Sequence, residues 1–64
     1  MGLTGGSGDR DEIIVEFTRT GAWLRCAAVH AATGIEVSAV GPAAEPRALE
    51  RIAVAKLKRA LLSR

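Results

Sequence analysis

From Glu12 onward, apolar and polar positions alternate along the chain. Ile13, Val15 and Phe17 interleave with Ile14, Glu16 and Thr18, the period-two pattern of a strand rich in β-branched residues. Arg19-Thr20-Gly21 predicts a turn, because glycine takes a positive φ without steric cost. A second strand is expected over Trp23 to Ala31. It sets Leu24, Cys26 and Ala28 on one face and Trp23, Arg25, Ala27 and Val29 on the other. Its alanines favour helix on propensity alone, but its place between two turn signals favours strand. His30-Ala31-Ala32-Thr33-Gly34 is the next turn signal. Ile35 to Val40 then predicts a third strand, with Ile35, Val37 and Ala39 opposed to Glu36, Ser38 and Val40. Gly41-Pro42 is expected to end it, since proline cannot donate to a ladder. Connections this short force antiparallel neighbours, so the three strands should form a meander.

The period then lengthens. Pro46 suits the first turn of a helix, where its missing N–H costs nothing, and Glu45 complements the positive end of the helix dipole. Leu49, Ile52, Ala53, Leu57, Ala60 and Leu61 follow the i, i+3, i+4 spacing of an amphipathic helix, expected from Pro46 to Leu62. Lys56, Lys58, Arg59 and Arg64 crowd its C-terminal half, where cations meet the negative end of the dipole. The fold class is therefore α+β: a three-stranded antiparallel meander followed by one C-terminal helix packed on one sheet face. Residues 12–64 make up this single domain. Residues 1–11 read as a flexible tail, because the four glycines between Met1 and Arg10 leave too little apolar side chain to offset the entropy of ordering. A phosphate-binding loop would need a strand before these glycines and a Lys-Ser or Lys-Thr pair after them. Neither is present.

One helix covers only one face of a three-stranded sheet. The covered face is expected to take Ile13, Val15, Phe17, Leu24, Cys26, Ala28 and Val37. The other keeps Ile14, Trp23, Arg25, Ala27, Val29 and Val40, beside Glu16, Glu36 and Ser38. That is too apolar for a face meant for water, and patches of this kind mark interaction surfaces.

Composition points the same way. A chain of 64 residues buries only about 60% of its unfolded surface, which leaves stability marginal without a supplement to the core. Cys26 is the only cysteine, so no disulfide forms within the chain. With His30 it falls well short of the four ligands of a structural zinc. Self-association is the remaining common supplement. Hydrophobic residues make up 48% of the chain and mean hydropathy is +0.18, although alanine supplies much of both. The expected partner is a second copy, giving a homo-oligomer, a dimer or a tetramer if the helix flank carrying Val54 and Leu62 also takes part. A different protein on the same face is the heterologous version of that expectation.

Candidate chemistry is sparse. His30 is the one side chain that titrates near neutrality, and it reads as a solvated turn histidine. Cys26 shares a strand face with Leu24 and Ala28 and reads as buried apolar filler. Four residues apart on one strand, Cys26 and His30 are separated by roughly 13 Å, too far for a dyad. Glu16 and Glu36 are expected to flank Arg25 as a cross-strand charge cluster. Lys56 falls within the helix stripe and should snorkel. No grouping of acid, base and oxyanion donor appears, so no catalytic activity, cofactor or metal is expected. Arg47, Arg51 and Lys58 on the helix, with Arg25 on the sheet, make nucleic-acid binding the alternative. A net charge of +2 and a pI near 9.3 are a weak footprint for it. A lone cysteine without a hydrophobic leader fits a cytoplasmic setting, and no apolar run approaches the roughly 20 residues that cross a bilayer, so no membrane is expected.

From Gly21 the chain resembles a family of short, mainly alphaproteobacterial proteins known only as a domain of unknown function. The resemblance lies in Gly21-Ala22-Trp23-Leu24-Arg25-Cys26-Ala27-Ala28-Val29 and in Thr33-Gly34-Ile35-Glu36-Val37-Ser38-Ala39-Val40-Gly41-Pro42. A helix carrying Leu49, Ala53, Lys56, Leu57 and Leu61 completes it. Thr-Gly-x-Glu-Val-Ser and the Lys-Leu pair are its most specific parts. His30 stands where the family usually has an acidic residue, a departure that argues against essential chemistry there. The resemblance implies a small single-domain bacterial protein and no particular activity.

Overall fold

The computed structural model describes residues 12–63; the tail expected over 1–11 lies outside the described residues. Three strands, β1 (Ile13–Thr20), β2 (Trp23–His30) and β3 (Glu36–Pro42), precede one helix, α1 (Pro46–Leu62). They form one sheet in the order β1-β2-β3, with both neighbouring pairs antiparallel. This is the meander and single packed helix that the pattern predicts.

The first turn is tighter than the sequence suggests, and the second is longer, because β2 ends at His30 and β3 begins at Glu36. Thr20 pairs with Trp23, so the first hairpin turns on Gly21 and Ala22 alone. Gly21 has φ 61°, and a positive φ confined to the first of two turn residues is the II′ pattern that matches strand twist. At the second turn Gly34 has φ 77° and its amide donates to the His30 carbonyl at 2.8 Å. β2 accordingly ends at His30, not at Ala31.

β3 runs on through Gly41 and Pro42, which were expected to stop it. The register explains this. Ala43 donates its amide to the Ala22 carbonyl at 2.8 Å, and His30 donates to the Ile35 carbonyl at 2.9 Å. Odd-numbered positions of β3 therefore bond to β2, and Pro42, opposite Trp23, turns its nitrogen to the free edge. An edge position without a ladder donor is where proline is tolerated.

The core consists of Leu24, Cys26 and Ala28 from β2 and Leu49, Ala53 and Leu57 from α1. Leu49, Ala53 and Leu57 recur every four residues, so they lie on one helix face. Small side chains at Cys26, Ala28, Ala53 and Gly41 let the helix lie close to the sheet. The helix packs on β2 and β3, away from β1. Phe17 was expected in the covered layer. It shares that face with Cys26 yet remains 44% exposed, because the helix does not reach over it.

At the helix N-terminus Glu45 makes no side-chain cap, and Pro46 sits in the first turn. At the other end Ser63 donates its hydroxyl to the Arg59 carbonyl at 3.0 Å.

Candidate functional site: the open sheet face

The register fixes what each outer-face side chain meets. Ranks across the sheet run Ile14–Val29–Glu36, Glu16–Ala27–Ser38, Thr18–Arg25–Val40 and Thr20–Trp23–Pro42. Directly opposed residues put their side chains on the same face. Trp23 is 60% exposed, Val40 64% and Ile14 43%. Ala27 is buried although it faces away from the helix, and Val29 is half-buried. Their larger neighbours shield these central-strand side chains. The exposed apolar side chains thus lie toward the two ends of the face, Trp23 with Val40 at one and Ile14 with Val29 at the other, with Ala27, Arg25, Glu16 and Ser38 between them.

Arg25 does not stand between two glutamates. Its neighbours are Thr18 and Val40, while Glu16 faces Ala27 and Glu36 faces Val29. The alternation placed all three correctly on one face, but only the register decides ranks, and it shifts each glutamate away from the arginine. Arg25 is exposed.

The four residues of the nucleic-acid alternative divide between two surfaces. Arg47, Arg51 and Lys58 line a shallow depression on the helix together with Glu50 and Val54. Arg25 lies on the opposite side of the sheet. One duplex or strand cannot lie flat against both.

His30 is buried rather than solvated, at 8% exposure. As the last residue of β2 it points to the helix side, beside Ile13, Lys58 and Leu61. Its Nδ1 lies 2.9 Å from the Thr33 hydroxyl, and that hydroxyl also accepts from the Ile35 amide at 3.3 Å. The imidazole braces the second turn. Because the turn folds back on the strand end, a position read as turn becomes a lid on the core.

Cys26 has no exposed surface. Burial pushes its thiol up from the ordinary value, and the negative charge of Glu50 pushes it further the same way. Both effects disfavour the thiolate that a nucleophile or metal ligand requires. Native protein at neutral pH should therefore leave Cys26 unmodified by an aromatic disulfide reagent until denaturant is added; prompt reaction in the native state contradicts the burial. The folded form also holds its proton above the ordinary thiol pKa of 9.0. Stability from this group is then complete below that pH and is lost as pH climbs toward the raised folded value.

Lys56 extends along the helix stripe, and its Nζ donates to the Ser38 carbonyl at 2.7 Å. It snorkels, but onto the sheet edge. Among the described residues, no group of three or more His, Cys, Asp and Glu side chains is placed to hold a metal ion. No helix among them is long and apolar enough to cross a membrane.

A family model described as Domain of unknown function (DUF6898) matches residues 10–64. The chain belongs to that family. The DUF6898 match spans all three strands and the helix, so every residue of the sheet face and the core lies inside it. Searches of curated proteins and of solved structures give no significant match.

Proposed function

We propose that this DUF6898 domain is a non-catalytic protein-interaction module that associates with itself through the outer sheet face around Trp23. The observation that carries the reading is that Trp23, Val40 and Ile14, each more than two-fifths exposed, share a face that no helix among the described residues covers, Trp23 and Val40 as diagonal neighbours at one end and Ile14 at the other. Apolar groups so placed cost solvation energy in a free monomer and regain it on burial. Among the described residues six buried side chains form the core cluster, which is a small core for a stable free-standing domain. A second copy supplies the missing layer with the fewest additional parts, and twofold pairing places each tryptophan in the same contact twice. Two sheets stacked on these faces pack about 10 Å apart, with aligned strands. The same reading places the protein in a bacterial cytoplasm, where a lone thiol stays reduced.

The test is substitution within the patch. Trp23→Ala removes the largest exposed side chain of the face, and losing an anchoring interface aromatic costs about 2 kcal/mol, roughly thirtyfold in Kd. Val29→Glu sets a carboxylate on the central strand between Ile14 and Glu36. Both variants should run at a lower mass than the parent while keeping its circular dichroism. If both retain the parent mass, the face is not the interface.

A further inference from the structure

The two edges of the sheet are built differently. On β3 the outward backbone groups belong to Glu36, Ser38, Val40 and Pro42. Pro42 has no N–H to offer, and the Ser38 carbonyl already accepts from Lys56 at 2.7 Å. Proline and inward-reaching lysine are devices that stop an edge from recruiting another strand. On β1, Ala31 donates its amide to the Glu12 carbonyl at 3.0 Å. With the register Ile14–Val29 through Thr20–Trp23, the even-numbered positions bond to β2. Ile13, Val15, Phe17 and Arg19 therefore direct their N–H and C=O groups outward. β1 has eight residues, no proline, and one unbroken register along its length. The helix covers β1 only at Ile13 and Val15 and leaves its second half open, so Phe17 is 44% exposed beside the edge.

We infer that β1 pairs antiparallel with β1 of a second copy, joining two meanders into one continuous six-stranded sheet with both helices on the same face. Twofold symmetry perpendicular to the sheet allows only registers that oppose residues of like parity. Centring on Glu16 would set two carboxylates directly opposite each other, which disfavours that register. Centring on Phe17 opposes Phe17 to its own copy as a hydrogen-bonded pair and Val15 to the Arg19 of the second copy. On the outer face the same register lines up Arg25, Thr18 and the second copy's Glu16 in one rank. Arg25 and that carboxylate then stand two strand spacings apart, about 10 Å between backbones. The short Thr18 between them lets their side chains meet above it. The contact occurs twice by symmetry and gives both the exposed arginine and Glu16 an opposite charge. This pairing deepens the self-association reading but uses the sheet's edge rather than its outer face, so the two contacts together generate a tetramer.

The experiment is amide exchange read by NMR on the full chain, with Val15→Pro as the companion variant. At concentrations where the mass is oligomeric, the amides of Val15, Phe17 and Arg19 should exchange as slowly as those of Glu16 and Thr18, and lose that protection on dilution. Val15→Pro removes a donor that β2 does not use, so it should halve the mass with the circular dichroism retained. Free exchange at Val15, Phe17 and Arg19 in an oligomeric sample overturns the edge pairing and leaves the sheet face as the contact. Conversely, a halved mass in Val15→Pro beside an unchanged mass in Trp23→Ala and Val29→Glu keeps the edge and removes the face.

Discussion

Leu57→Ala should leave the domain largely unfolded at room temperature. Leu57 has no exposed surface and belongs to a core cluster in which Cys26, Ala28 and Ala53 are all small. Truncating a buried leucine costs about 2–5 kcal/mol, with the larger values where the surroundings cannot collapse into the space. Here collapse is hindered. The helix already lies close to the backbone of β2 and β3 and cannot settle much further, so only the partly buried side chains packed at the rim of the cluster, such as Ile35 and Leu61, can shift toward the space. Total stability for a domain of this size is on the order of 3–10 kcal/mol, so the loss consumes much or all of it. Circular dichroism and urea denaturation would show it as a lost or strongly shifted transition. A midpoint within a few tenths molar of the parent would mean that the helix does not anchor the fold through Leu57.

Gly41→Val should be nearly as damaging, for the opposite reason. Gly41 lies in β3 opposite Leu24, faces the helix and is buried. A β-carbon added there would come within 3.2 Å of the Leu49 Cδ1. That contact is tight but falls on the end of a side chain, so Gly41→Ala needs only a small shift of Leu49. Its unfolded chain also loses freedom, worth about 0.4–1 kcal/mol in favour of folding. Gly41→Ala should therefore change stability little. Valine adds two γ-carbons in the direction of the first helix turn, where Pro46 limits adjustment of the backbone. Overpacking of that kind costs about 1–3 kcal/mol. Denaturation midpoints of the alanine and valine variants compared side by side test it: equal midpoints contradict a helix held this close to β3.

Much of this architecture was legible in the chain. Alternation from Ile13 to Thr18 and from Trp23 to Val29 gave the faces of β1 and β2, since side-chain direction follows residue parity alone. Gly21 marked the first turn because a two-residue II′ connection demands a positive φ. The apolar stripe from Leu49 to Leu61 and Pro46 at its start located the helix. The unread parts all depend on position across the sheet. Arg25 shares a face with Glu16 and Glu36, but neighbourhood depends on register, which the hairpin lengths fix: a turn of two residues instead of three moves every rank. Phe17 has the correct parity for the core and still lies half-open, because parity cannot say how far sideways the helix sits. His30 looked like turn residue until the loop closed over it. Pro42 looked like a strand end because which edge its nitrogen faces is a property of pairing, not of sequence.

The edges illustrate the same point. Lys56 stands out in the sequence as a charge within an apolar stripe, and snorkelling was the natural account. Its target, the Ser38 carbonyl on the free side of β3, turns that oddity into a blunted edge. Only the contrast with β1, which among the described residues has neither a proline nor a lysine reaching its outward carbonyls, gives it meaning for assembly.

The central claim is that the domain is a self-associating module. Light scattering behind a sizing column, over a hundredfold range of loading concentration, tests it most directly. A self-associating domain gives a mass of two or more 6.7 kDa chains, held at high concentration and falling on dilution if the contact is weak. A mass of one chain at every concentration would contradict it.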